Sequence, residues 1–281
     1  MTEAFDYIGL DDFLNASLRE DIGTGDITTN SCVPADAISK GAFRAKESGV
    51  VCGTAVLKRV FQLLDSRVTV TPLKGDGDHV ETGDVIAEIE GPSRSILTGE
   101  RTALNILQHL SGIATRTAAA VNSVAGTGAR ICDTRKTTPG LRVLEKYAVK
   151  CGGGSNHRFN LADGVLIKDN HIVAAGGIRK AIEVVKKNAP HTLRIEVETE
   201  SIAQIDEALE AGADIIMLDN MTNELMQEAV RHIGGRAITE ASGNMGDRDL
   251  KAVAMTGVDY ISIGALTHSV KALDISLRFS K

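Results

Sequence analysis

From Arg194 to Asp219 the chain reads RIEVETESIAQIDEALEAGADIIMLD, a strand, a helix and a second strand in succession. Acids alternate with aliphatics at the start of this stretch, the period of two expected of a strand. Ser201 then stands where a helix needs its N-cap, Ile202, Ile205 and Leu209 share one helical face, and Gly212 supplies the stop. The unit repeats. A strand Asp214–Asp219 leads to an N-cap at Thr222, a helix through Ile233 and a stop at Gly234. A strand Arg236–Glu240 follows, then a helix Leu250–Met255 capped by Asp247 and closed by Gly257, and a last strand Asp259–Gly264. The strand ends Glu198, Asp219, Glu240 and Gly264 lie 21, 21 and 24 residues apart, one strand, loop and helix each time. This spacing predicts a parallel α/β architecture, either a barrel or an open sheet. A barrel is favoured: Glu196 and Glu198 alternate with Ile195 and Val197, and Met217 and Asp219 with Ile216 and Leu218. The aliphatic set can then face the helices while the other points inward.

In such barrels chemistry sits at the C-terminal ends of strands. Asp133, Lys168, Glu198, Asp219 and Glu240 all fall there once two further strands, beginning at Ala129 and Gly164, are counted. Between Arg130 and Lys168 eight Lys and Arg face three acids, in a chain whose formal net charge is −6. Lys146 and Lys150, beside Glu145, read as a solvated helix face. Arg135 and Lys136 instead follow one short apolar segment, and Lys168 ends another, Val165–Ile167. A cation at the end of a buried strand needs an anionic partner, because an unpaired buried charge is costly. Nucleic acid is a poor candidate for a chain with pI about 5.7, no Trp and 3% aromatic residues to stack on bases. A small polyanion fits better.

Glu198 and Asp219 offer two carboxylates on neighbouring strand ends, a cradle for Mg²⁺ unless salt bridges to Lys168 or Arg158 occupy them. The loops Ala241–Asn244 and Ser262–Gly264 carry small residues that let backbone N–H groups approach a phosphate, as the loops after the last two barrel strands frequently do. Arginine forks match carboxylates. The set suits a transferase joining a sugar phosphate to an acidic acceptor.

Upstream of about residue 113 the texture changes. Short alternating segments are broken by Gly75, Gly77 and Gly83, and GDHVETGDVIAEIEG (Gly77–Gly91) resembles half of a biotinyl or lipoyl carrier domain. No lysine stands at a hairpin tip there, so a β-rich packing domain is preferred. Thr98 is expected to cap a long helix bearing Leu104, Leu107, Leu110 and Ile113, with Arg101 in its first turn against the helix dipole. The opening MTEAFDYIGLDDFL is acidic and unlike a signal sequence, and no apolar run nears the ~18 residues of a membrane span, which points to the cytoplasm. Cys32, Cys52, Cys132 and Cys151 are dispersed without a CxxC pair, so four reduced core residues are expected, with neither zinc nor disulfides indicated.

Eight phrases then carry a resemblance along nearly the whole chain: LREDIGTGDITT (Leu18–Thr29), ERTALNILQHLSGIAT (Glu100–Thr115), TRKTTPGLR (Thr134–Arg142), KYAVKCGGGSNHRFNLADGVLIKDNH (Lys146–His171), EVE (Glu196–Glu198), IMLDNM (Ile216–Met221), EASGN (Glu240–Asn244) and ISIGALTHS (Ile261–Ser269). Together they resemble the quinolinate phosphoribosyltransferase family, the nicotinate-nucleotide pyrophosphorylases of de novo NAD synthesis. The resemblance implies an N-terminal α/β sandwich domain, residues 1–113 joined by 267–281, and an incomplete, seven-stranded α/β barrel over 114–266. It implies 5-phosphoribosyl 1-pyrophosphate and quinolinate as substrates, with Mg²⁺, and a dimer or an assembly of dimers in which Arg101 completes the neighbouring site. Thr134, Arg135, Lys136, His157, Arg158 and Lys168 would bind quinolinate. Glu198 and Asp219 would hold the ribose and the magnesium ion. Ser242, Gly243, Asn244, Ser262, Ile263, Gly264 and His268 would receive the 5-phosphate. Lys136, Lys168, Glu198 and Asp219 would carry catalysis. Two other readings are a relative associated with molybdate transport that uses another acceptor, and a non-enzymatic ligand-binding barrel.

Overall fold

The computed structural model describes residues 8–280; the acidic opening Met1–Tyr7 and Lys281 lie outside the described residues. Two compact units emerge, one formed by Met1–Ala118, Pro139–Gly153 and Ser269–Lys281, the other by Ala119–Thr138 and Gly154–His268.

The first unit holds a four-stranded antiparallel sheet in the order Ile275–Phe279, Ile38–Ala45, Val85–Pro92, Thr69–Pro72. The C-terminal strand therefore returns to the N-terminal sheet, Leu277 opposite Phe43. Phe43 and Phe61 are fully buried with ring centroids 6.2 Å apart, and burial of each such side chain contributes about 1.5–3 kcal/mol. The strand Val85–Pro92 runs directly into a helix of 31 residues, Ser93–Ser123, pinned at its start by Ser93 Oγ against Ser39 Oγ at 2.6 Å. Thr98 is thus inside the helix rather than its cap, its hydroxyl donating to Asp26 at 3.3 Å. Arg101 lies beyond the first turn and is exposed, so the expected conflict with the helix dipole does not arise. Leu104, Leu107, Leu110 and Ile113 are buried as their spacing predicts.

A second correction concerns the helix Arg142–Cys151. Lys150 is exposed, but Glu145 and Lys146 have no exposure at all, so the pair is no solvated face. Glu145 Oε1 meets Nε2 of His109, on the long helix, at 2.9 Å. Leu144, Ala148 and Val149 are buried around it, which is why Pro139–Gly153, within the 114–266 stretch, packs in the first unit.

The second unit is a parallel sheet of six strands in the order Arg130–Cys132, Tyr260–Ser262, Ile238–Ser242, Ile215–Asp219, Ile195–Thr199, Val165–Ile167. Ser201 and Thr222 cap the helices Ile202–Ala211 and Asn223–Ile233 through bonds from Gln204 N and Leu225 N, and Gly212 and Gly234 end them in left-handed conformation. Asp249, not Asp247, caps the helix Leu250–Ala254, because Met245–Asp247 is drawn into a 3-10 turn. Six strands of the expected incomplete, seven-stranded barrel are present, and among the described residues no ladder joins the two edge strands. A lone parallel bridge, Cys132 to Ser155, marks where a seventh strand would lie. Beyond it the backbone is claimed by side chains, the N–H groups of Phe159 and Asn160 donating to Asp163 Oδ2 at 2.8 and 3.1 Å, so no strand pairing continues.

Candidate active site

At the C-terminal ends of the second unit's strands lies a cavity of about 620 Å³. It is lined by Thr134, Arg135, Lys136, His157, Arg158, Lys168, Glu198, Asp219, Ser242, Gly243, Asn244 and Ser262, all singled out from the sequence, and by Leu166, Met217, Asn220 and Glu240. Four of the predicted residues are not among its walls. Arg101 belongs to the first unit. Ile263 is a buried side chain whose backbone N–H is bound to Cys132 O at 2.9 Å. Gly264 and His268 stand just behind Lys136: a Cβ on Gly264 would come within 2.9 Å of Lys136 Cδ and 3.1 Å of His268 Cδ2. Glycine there lets the lysine cross the turn.

Asp133, fully buried, joins the two basic loops. Its carboxylate accepts from Asn156 Nδ2 at 2.6 Å and from the His157 N–H at 2.8 Å, so the NHR turn is hung from the end of the Arg130–Cys132 strand. His157 Nδ1 accepts the Arg158 N–H at 2.8 Å, which leaves the ring proton on Nε2. That nitrogen faces Glu196 Oε2 at 3.1 Å and Glu240 Oε1 at 3.7 Å. Burial, then the neighbouring Glu196 carboxylate, push Glu240 up to about 7. All three line a second cavity, about 380 Å³, that extends toward the strand starts at Arg194, Ile215, Ile238 and Tyr260, and His157 and Glu240 line both cavities.

The cationic wall is under strain from its own charge. Arg158 is held below the usual guanidinium range by burial and then by Arg135 beside it, and its Nη1 donates to Gly164 O at 2.8 Å. Arg135 Nε is buried with no hydrogen-bond partner among the described residues, a state that costs about 1–3 kcal/mol until an acceptor arrives. Lys168 reaches across to Glu198 Oε1 in a short charge-assisted bond. Asp219 Oδ2 accepts from Asn220 Nδ2 at 2.6 Å.

Two non-glycine residues take positive φ among the described residues, Asn220 at 54° and Asn244 at 50°, and both border this cavity. Between them stands Gly243, φ 95°, where a Cβ would lie 2.2 Å from Asn220 Oδ1 and 2.8 Å from Asn220 N. Only glycine permits that approach, and the paired strained residues are the kind of local cost that functional loops carry. Asn220 and Glu196 were given no role from the sequence. The signal for Asn220 was its place directly after a strand-end acid, and Glu196 was read as an inward-facing residue alternating with Ile195.

Comparison with known proteins agrees with this geometry. Residues 113–278 match the model of the quinolinate phosphoribosyl transferase C-terminal domain, and residues 26–111 that of its N-terminal domain. A probable nicotinate-nucleotide pyrophosphorylase (carboxylating) of Bacillus subtilis is 48% identical over 271 residues, covering 96% of this chain and 93% of that protein. Quinolinate phosphoribosyltransferase (decarboxylating) 1b of Nicotiana tabacum is 44% identical over 284 residues, covering 94% of this chain and 81% of that protein. The crystal structure of NadC from Streptococcus pyogenes superposes with a TM-score of 0.91 at 47% identity, covering 98% of this chain and 99% of that one.

Proposed function

The chain belongs to the quinolinate phosphoribosyltransferase family, and from that premise we infer that it transfers the phosphoribosyl group of 5-phosphoribosyl 1-pyrophosphate to quinolinate with decarboxylation. The products are nicotinate mononucleotide, pyrophosphate and carbon dioxide, a step of de novo NAD synthesis. The observation that carries the assignment of the pyridine acid to this cavity is the buried Nε of Arg135, without a partner among the described residues, beside a second guanidinium, Arg158. Such a wall is incomplete without a di-anion.

Arg135, Arg158, His157 and Lys168 take the two carboxylates of quinolinate, with Thr134 and Lys136 at the entrance and Arg101 supplied by a neighbouring copy in a dimer or larger assembly. Ser242, Gly243, Asn244 and Ser262, with the turn of Ile263, Gly264 and His268, receive the 5-phosphate. Glu198 and Asp219 hold the ribose hydroxyls. Two hard carboxylates on adjacent strands, each with one oxygen that takes no hydrogen bond among the described residues, also fit Mg²⁺. Bound there with substrate phosphates and water, the ion would supply neutralisation of the pyrophosphate.

The protein's main contribution is to set two polyanions side by side while cancelling their repulsion. Lys136 and Lys168 lower the charge on the departing pyrophosphate as the bond from ribose carbon 1 breaks, and the strand-end acids favour the positive character that develops on the ribose. The pyridine nitrogen forms the new bond to carbon 1. The ring is then cationic, the carboxylate next to the nitrogen leaves as carbon dioxide, and a proton takes its place. The reaction belongs in the cytoplasm, in keeping with four free cysteines; no helix among the described residues is long and apolar enough to cross a membrane.

The test is a mass balance with quinolinate, 5-phosphoribosyl 1-pyrophosphate and Mg²⁺, with nicotinate as the control acceptor. Equal amounts of nicotinate mononucleotide and carbon dioxide are expected from quinolinate alone. Turnover of nicotinate without carbon dioxide would overturn the acceptor assignment.

A further inference from the structure

The four cysteines, expected as reduced core residues, are not all in the core. Cys32 is exposed and Cys132 buried in the sheet of the second unit, but Cys52 and Cys151 meet. Their sulfurs and a carboxylate oxygen of Asp76 all lie within 4.8 Å of one another. Three separate segments bring them together: the stretch after the strand Gly49–Val50, the turn before His79–Val80, and the last residue of the helix Arg142–Cys151.

Each segment is clamped. The Cys52 N–H donates to Ser111 Oγ at 3.0 Å, and the Ser111 hydroxyl approaches Cys52 O at 3.2 Å. Gly77 N donates to Val51 O at 2.8 Å and Val51 N to Asp78 O at 3.0 Å, tying the Asp76 turn to the Cys52 segment. Asp76 Oδ1 accepts from Thr54 N at 2.9 Å and Thr54 Oγ1 at 2.8 Å, and Oδ2 accepts from the Tyr147 hydroxyl at 2.8 Å. Among the described residues these neutral groups are the only hydrogen-bond donors to the carboxylate; no cation shares it.

We propose that Cys52, Cys151 and Asp76 form a binding site for one thiophilic divalent cation, of which Zn²⁺ is the representative. Two thiolates and a carboxylate supply three of the four corners of a tetrahedron, and water completes the fourth. Sulfur donors select zinc over Mg²⁺, which requires octahedral oxygen, so this site would not compete for the ion that Glu198 and Asp219 suit. Tyr147 orients the carboxylate through its hydroxyl, as partners of metal-binding carboxylates commonly do.

Cys151 is the more accessible of the two thiols, half-buried where Cys52 is fully buried. Because a thiolate rather than a thiol is the ligand, uptake of the ion releases protons.

The full-length protein, reduced and stripped with a chelator, should be titrated with Co²⁺ as the spectroscopic probe. A thiolate-to-cobalt charge-transfer band saturating at one ion per chain is expected. Zn²⁺ should bleach it, and excess Mg²⁺ should not. Cys151→Ser, at the accessible corner, should abolish the band, Cys32→Ser should retain it, and Asp76→Asn should weaken binding by more than about tenfold. Zn²⁺ should raise Tm of the wild-type chain and leave that of Cys151→Ser unmoved. Absence of the band in the wild-type chain would overturn the site, as would its survival in Cys151→Ser. So would isolation of a Cys52–Cys151 disulfide that, once reduced, still takes up no metal.

Discussion

Glu145 and Arg135 come from the same basic stretch of sequence, ten residues apart, yet they live in opposite electrostatic circumstances. Glu145 is wholly buried in the first unit and meets His109 across a helix pair. Arg135 stands at the end of a parallel strand in the second unit and keeps a buried Nε with no partner among the described residues. The first arrangement is complete within the protein and specifies packing. In the function proposed above, a ligand completes the second. Charge buried with its partner serves the fold, and a buried donor left open is where the proposed function seats its acid.

The comparison breaks most visibly at its closed end. Glu145→Ala should cost about 3–5 kcal/mol of stability, the usual effect of removing one member of a buried ionisable pair, while turnover per folded molecule stays near wild type. Denaturant unfolding with an active-site count checks both. A variant that keeps its stability and loses kcat would move Glu145 into the site.

At the open end, Arg135→Ala should lower kcat/KM for quinolinate by about 10²–10³-fold, with little change in Tm and a much smaller change in KM for the sugar phosphate. Loss of a charge-assisted bidentate contact has that size. Arg135→Lys should recover only part of the loss, since an ammonium cannot reproduce the planar fork. Equal losses toward both substrates would mean that Arg135 shapes the loop instead of holding the acid.

A smaller effect is expected where strain and site coincide. Gly243→Ala places a methyl group against Asn220 and in a backbone region that L-residues avoid, at a cost of about 1–3 kcal/mol. The displaced Asn220 should raise KM for 5-phosphoribosyl 1-pyrophosphate more than that for quinolinate. An unchanged KM ratio would separate the strained loop from phosphate binding.

A further effect is a pH dependence of stability. Glu240 moves from an ordinary 4.5 to about 7 in the folded chain, so between those values the folded state holds a proton that the unfolded chain has released. Stability from this group is therefore present below about pH 4.5 and is lost as pH rises to about 7. Glu240→Gln should flatten that slope in unfolding curves taken across the interval. A slope equal to wild type would show that Glu240 is ionised in the fold throughout.

Legibility in the sequence followed the range of the forces involved. Ser201, Thr222, Gly212 and Gly234 act within a few residues of themselves, and the helices they bound lie where their spacing predicts. Thr98 misled because a strand running straight into a helix leaves no loop to announce the boundary. Asp247 misled because a 3-10 turn shifted the cap to Asp249 by two residues. The strand-end acids and basic residues were visible through periodicity, but Asn220 was not, because its role depends on the close approach of Gly243 from the next strand.

The sequence by itself determined the parallel strand and helix repeat, the concentration of basic residues at strand ends, and the family, through motifs spread along the whole chain. Those features are local in range or additive along it. Tertiary structure alone decided that the six-stranded sheet stays open beyond Ser155, that Glu145 and Lys146 are interior, and that Cys52 and Cys151 come to face the same carboxylate. Each depends on which distant segments share a surface, and burial and pairing across such segments are settled only when the core closes.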